Sequence, residues 1–98
     1  MHWSALDPEN GAYLDSLGWV YYQLGDTAQA VAVLTRAAEL VDDDPVIFDH
    51  LAEAYLRQHN LEAARRHWDR ALELDPNQAE VRAKLQRLPP HDVTVSSP

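Results

Sequence analysis

The sequence predicts an all-α fold: a short α-solenoid of antiparallel helix pairs, two full 34-residue repeats followed by a C-terminal capping helix. Three observations predict it. The chain repeats itself with a period of 34 residues. Within each period, apolar residues recur every three or four positions in two separate runs, the spacing of one helix face. Between the runs stand glycine, proline, asparagine and aspartate, the residues that end and begin helices.

The repeat appears when "GAYLDSLGWVYYQLGDTAQAVAVLTRAAELVDDD" (11–44) is set above "PVIFDHLAEAYLRQHNLEAARRHWDRALELDPNQ" (45–78). Leu14 then falls on Phe48, Leu17 on Leu51, Gly18 on Ala52 and Tyr21 on Tyr55. Ala30 falls on Ala64, Leu34 on Trp68, Ala37 on Ala71 and Leu40 on Leu74. Small matches small and large matches large, without a gap.

Taken in order, "ALDPEN" (5–10) echoes "ELDPNQ" (73–78) two periods on. Residues 1–10 therefore read either as the last turn of a preceding repeat, the chain being a C-terminal piece of a longer array, or as a native N-terminal arm. The first helix is expected over 11–24, with Leu14, Leu17, Gly18, Tyr21 and Leu24 on its inner face. Gly25 suits the left-handed residue after a helix end, and Asp26 can cap the next start. The second helix, 27–41, carries Ala30, Leu34, Ala37 and Val41. Asp44 and Pro45 form an N-cap followed by a proline at the first helical position, where its missing N–H costs nothing. The third helix, 45–58, breaks at Gln58-His59-Asn60, and the fourth runs over 61–74. Asn77 with Glu80 resembles a capping box for a fifth helix over 78–88. Its stripe is Val81, Leu85 and Leu88, and it is stopped by Pro89-Pro90. Residues 89–98 read as a disordered tail.

Small residues let paired helices approach, Tyr21 and Tyr55 fill the gap between them, and Leu34 and Trp68 reach toward the next unit. A single pair leaves one face bare, so the stack is the stable object.

Composition narrows the function classes. The 98 residues are 46% hydrophobic and 24% charged, with no cysteine and a net charge of −8. This leaves no disulfide frame and no thiolate site. It also leaves no redox clue to the compartment, although a soluble, cytoplasmic setting is the expectation. No apolar run reaches the ~18 residues of a membrane span. Residues 1–60 hold two basic side chains, Arg36 and Arg57, against ten acidic ones; residues 61–98 hold six of each. An acidic half opposes nucleic acid. It serves either solubility, including in a saline cytosol, or attraction of a basic partner. His2, His50, His59, His67 and His91 are scattered without metal spacing. Ser16 has no histidine base beside it, and "LGWVYYQLG" lacks the Lys-Ser/Thr of a phosphate loop. No enzyme, metal or cofactor is expected.

This pattern resembles the tetratricopeptide repeat family. That family places a large residue, then Leu-Gly-x-x-Tyr, Ala-x-x-x-Phe-x-x-Ala and a proline over 34 residues. Here it reads Leu14, Leu17-Gly18, Tyr21, Ala30, Leu34, Ala37, and again Phe48, Leu51-Ala52, Tyr55, Ala64, Trp68, Ala71, Pro76. Asp42 departs from the proline, and His59 stands where the first unit has Gly25. The resemblance spans 11 to about 88 and suggests a longer array of bacterial type. It implies that the first helix of each unit lines a concave groove. The groove face would then carry Asp15, Ser16, Trp19 and Tyr22, followed by Asp49, His50, Glu53 and Arg57, and then Lys84 and Arg87.

Three rings within four residues, Trp19, Tyr21 and Tyr22, cannot share one inward face. Helical spacing puts Tyr21 in the core with Gly18, Leu17 and Leu14. Trp19 and Tyr22 fall on the implied groove face, either to meet a ligand or to pack on the next unit. Some family members clamp a terminal carboxylate with Lys and Asn. Acidic residues at those positions here would repel one, so a ligand bringing Lys, Arg or aromatic side chains fits better. The expected function is a non-catalytic module binding a peptide segment of a partner protein. The alternative is a structural or oligomerisation scaffold with no dedicated ligand. If a preceding repeat has been severed, an apolar edge of the first helix drives weak self-association.

Overall fold

A computed structural model describes residues 10–89. It contains five helices, α1 (Gly11–Gln23), α2 (Thr27–Leu40), α3 (Pro45–Arg57), α4 (Leu61–Leu74) and α5 (Ala79–Arg87). There is no strand among the described residues. The expectations for residues 1–9 and for the tail from Pro90 onward lie outside the described residues. α1 pairs with α2 and α3 with α4; α2 then packs on α3, and α4 on α5.

The two within-pair corners share one hydrogen-bond pattern. After α1, the Gly25 N–H donates to the Tyr22 carbonyl (3.1 Å) and the Asp26 N–H to that of Tyr21 (2.9 Å). After α3, His59 donates to Leu56 (2.9 Å) and Asn60 to Tyr55 (2.9 Å). This double bond pattern is the Schellman motif, which needs a left-handed residue just past the helix end. Gly25 supplies it at φ +87° and His59 at φ +64°. The next residue then caps the following helix: Asp26 accepts from the Gln29 N–H and Asn60 from that of Ala63. Between pairs, Val41 and Asp75 take nearly the same extended conformation. Asp42 thus substitutes for the family proline without altering the corner. Asp44 caps α3 through the Val46 N–H, with Pro45 in the first turn.

Several details differ from expectation. Leu24, Val41, Gln58, Gln78 and Leu88 are cap residues outside the helices, so α1, α2 and α3 end one residue early and α5 loses one residue at each end, while α4 spans 61–74 as expected. The Asn77–Glu80 capping box does not form. Gln78 is the N-cap of α5 and makes no side-chain cap bond. Its amide instead donates to the Ala71 and Asp75 carbonyls at the end of α4. Leu24 is 75% exposed, so it leaves the inner stripe assigned to it.

The core follows the repeat. Ala30, Ala37, Ala52, Ala64 and Ala71 are fully buried where helix backbones approach. A Cβ on Gly18 would lie 2.5 Å from Leu34 Cγ. Leu34 packs with Leu51 and Ala54 of α3, and Trp68 with Val81 of α5. Each large residue therefore reaches into the next unit. Fully burying one such aliphatic side chain stabilises by about 1.5–3 kcal/mol.

Candidate functional site

α1, α3 and α5 each bring one face to the same side of the stack, and their side chains meet in two clusters. The first joins α1 to α3. His50 Nδ1 donates to Asp15 Oδ1 at 2.7 Å. The His50 ring stacks on Trp19 with centroids 4.2 Å apart, and Trp19 stacks on Tyr22 at 4.5 Å. The Arg57 guanidinium lies over Tyr22 at 4.0 Å and donates to the Tyr22 carbonyl. The result is a planar ladder, Arg57–Tyr22–Trp19–His50, anchored by a carboxylate. Such stacking orients rings and adds about 0.5–1.5 kcal/mol per pair beyond area burial.

The second cluster joins α3 to α5. Lys84 Nζ donates to Glu53 Oε2 at 2.7 Å and to Asp49 Oδ1 at 3.1 Å. The Trp68 indole N–H donates to the same Asp49 oxygen at 2.7 Å. Burial pulls the Lys84 pKa down, but the hydrogen bonds to Glu53 and Asp49 outweigh it, and the ammonium is held above its ordinary value. Beside this cluster lies a cleft of about 280 Å³ lined by Leu56, Leu61, Trp68, Arg87 and Leu88, with Glu53 and Lys84 at its polar side.

One contact is made twice. Asp15 bonds His50 and Asp49 bonds Lys84, each pair 35 residues apart. Carboxylate in one unit and basic group in the next is therefore a repeated link between units.

Nine of the ten residues expected in the groove enter these arrangements. Asp15, Trp19, Tyr22, His50 and Arg57 form the ladder; Asp49, Glu53 and Lys84 form the ionic cluster; Arg87 lines the cleft. Ser16 is exposed beside them. Tyr21 packs against the cluster of Ala30, Leu34, Leu51 and Ala54, as its spacing requires. Tyr22 touches the edge of that same cluster while it stacks on Trp19, so it serves both faces.

Sequence reasoning missed three things. The acidic groove positions read as open to a basic ligand, whereas Asp15 is paired with His50, and Asp49 and Glu53 with Lys84, each in the next unit. Helical spacing sends Trp68 toward the next unit and does not reveal its polar partner; a buried indole N–H needs an acceptor, and Asp49 supplies it. Leu61, on the far wall of the cleft, carried no signal, because its position depends on the α3–α4 corner.

Among the described residues, no group of three or more His, Cys, Asp or Glu could hold a metal ion. No helix there is long and apolar enough to cross a membrane. No curated protein matches the chain. The family model described as "Tetratricopeptide repeat" matches residues 21–88, well over half of the chain. With the 34-residue period, the paired helices and the small-residue contacts in place, the chain belongs to the tetratricopeptide repeat family, whose repeats are typically non-catalytic and generally serve as protein–protein interaction modules.

Proposed function

We propose that the face built from α1, α3 and α5 binds a peptide segment of a partner protein, with Trp19 and Tyr22 as the principal contact surface. The observation that carries this reading is the ladder. Its rings are half-buried, rimmed by polar groups and held by Asp15 and Arg57 before any ligand arrives. Aromatic anchors fixed in advance lose little entropy on binding. The cleft at Leu56, Leu61 and Leu88 would accept an apolar side chain of the same segment. Asp15, Asp49 and Glu53 are engaged by His50 and Lys84, so they offer less to a basic ligand than their number suggests. Stacking on the ladder should therefore outweigh ion pairing, while the overall charge of −8 steers basic segments toward the surface.

A scaffold reading rests on the same ladder, because it also clamps α1 to α3. A displayed peptide library selected on the chain separates the two. Selection should yield aromatic or basic sequences whose affinity falls at least tenfold in Trp19→Ala. Failure to enrich any sequence, or Trp19→Ala lowering the melting temperature with peptide affinity unchanged, would favour the scaffold.

A further inference from the structure

The ladder has one replaceable member. Trp19 has Tyr22 against it at 4.5 Å and His50 at 4.2 Å. Two groups this near one ring centre cannot share a face, so both faces of the indole are covered. Tyr22 has Trp19 on one face and, by the same argument, the Arg57 guanidinium on the other at 4.0 Å. The far end of the ladder is closed by His50, whose side chain is 20% exposed and bonded to Asp15. The near end is closed only by Arg57, an exposed side chain from the next unit. A group arriving from solvent therefore stacks on the ladder by taking the place of Arg57.

What Arg57 covers is a cation site. Its guanidinium meets the Tyr22 ring face and donates to the Tyr22 carbonyl at 3.0 Å. That carbonyl, which also accepts from the Gly25 N–H, lies in the last turn of α1, where the helix dipole concentrates negative charge. α1 has no basic residue in that turn, whereas α3 has Arg57 itself. Ring face, carbonyl and dipole thus draw a cation from outside α1. The second repeat has no such site, because Leu56 stands where the first has Tyr22.

We propose that the outer face of Tyr22 is a subsite for an arginine side chain of the bound segment, and that Arg57 holds it in cis until the ligand's guanidinium replaces it. The inference rests on the peptide-binding reading above and adds the residue type that this end of the ladder selects. The resident group argues for the incoming one. A planar guanidinium serves the ring and the carbonyl together, whereas an ammonium is a compact, strongly hydrated charge that does not stack. Charge favours the exchange as well, since residues 1–60 hold ten acidic side chains against two basic ones. A tethered group competes at an effective concentration in the millimolar range. Arg57 therefore weakens every arginine-bearing ligand and favours those that make further contacts along the groove, which makes it a specificity-determining residue.

Titration with acetyl-arginine methylamide, followed by nuclear magnetic resonance, tests this. Arg57→Gln installs the residue that the first unit carries at the equivalent place, Gln23. It should bind the probe about three- to tenfold more tightly than the parent, because the resident competitor is gone. Acetyl-lysine methylamide should gain less. Adding Tyr22→Leu, which copies Leu56 of the second unit, should abolish the gain. The parent gives a readout that needs no substitution. Its Arg57 side-chain protons lie in the ring current of Tyr22 and should move toward their unshielded positions as the probe is added. Equal affinity of the parent and Arg57→Gln, a gain that survives Tyr22→Leu, or Arg57 protons unmoved by the probe would each overturn the proposal. So would a parent that prefers acetyl-glutamate methylamide, since Arg57 would then be the ligand's partner and not its competitor. None of these results depends on a selected peptide, so the subsite can fail while the peptide-binding reading stands. A peptide library that enriches nothing would sink that reading whatever the arginine probe does.

Discussion

Residues 11–44 and 45–78 have the same helices, the same corners and the same caps, yet different side chains stand at equivalent places. Leu34 corresponds to Trp68, Val33 to His67, Gly18 to Ala52 and Gly25 to His59. The shared features are the small residues at helix contacts and the left-handed corner residues. The differing ones decide chemistry. A leucine at position 34 leaves Asp15 to its histidine alone, whereas a tryptophan at 68 gives Asp49 a buried donor as well. The backbone is thus specified by size and conformation, and the polar surface by substitutions that respect both.

The largest contrast should come from deleting the two large residues. Trp68 is 1% exposed and touches both α3 and α5. Trp68→Ala should cost about 3–5 kcal/mol, and Leu34→Ala about 2–5 kcal/mol, read from urea midpoints. Trp68→Phe sharpens the comparison. It keeps most of the apolar contact but removes the bond to Asp49, so its loss of stability is the sum of that bond and of the smaller ring's cavity. Equal stability of Trp68→Phe and the parent would mean that this bond contributes nothing net.

A smaller contrast tests the register of the repeat. Ala64 is fully buried between helices and Ala32 lies exposed on the outside of α2. Ala64→Leu should destabilise by about 1–3 kcal/mol through overpacking, and Ala32→Leu should change little. Equal melting points would contradict the pairing of the helices.

These features show what was legible in the sequence. The fold was readable because each small residue, cap and corner appears twice, so one unit checks the other. That Asp15, Trp19 and Tyr22 share one side of α1 followed from helical spacing. The partners of the charged side chains did not, because Asp15–His50 and Asp49–Lys84 span neighbouring units and depend on how the units pack. The start of α5 differs from its local pattern for a related reason. Asn77–Glu80 has the local spacing of a capping box, but Gln78 finds better acceptors at the end of α4.

A pH contrast separates His67 from Val33. The His67 ring is half-buried, stacks on Tyr55 and donates to the Ala63 carbonyl. Burial lowers its pKa, the Ala63 bond opposes this, and the Arg66 charge adds to the lowering; the net direction is down. The unfolded chain takes up this proton near the ordinary value of about 6.5, whereas the folded chain takes it up only at lower pH. Stability from this group is therefore full above that value and falls as pH drops through it toward the folded pKa. His67→Val, which copies the first unit, should flatten the fall in melting temperature between pH 7.5 and 5. An unchanged slope would assign the acid sensitivity to other groups.

The finest contrast is at the corners. Gly25 and His59 hold the same left-handed position, at φ +87° and +64°, with matching hydrogen bonds on either side. Glycine enters this region freely, while a residue with a Cβ loses roughly 1 kcal/mol or more. His59→Gly removes that strain, but a glycine also gives the unfolded chain more freedom, which offsets about 0.4–1 kcal/mol. The sum is neutral to stabilising, by up to about 1 kcal/mol. The mirror change isolates the backbone. A Cβ built on Gly25 meets nothing within 4 Å, so Gly25→His suffers strain without a clash and should destabilise by about 1 kcal/mol. Its reduced unfolded-state freedom moderates that loss. Two opposite shifts in denaturation midpoint would show that the corners are equivalent and that histidine is merely tolerated at 59. A clear loss of stability in His59→Gly would show instead that the imidazole contributes a contact of its own, and that the second corner has diverged from the first.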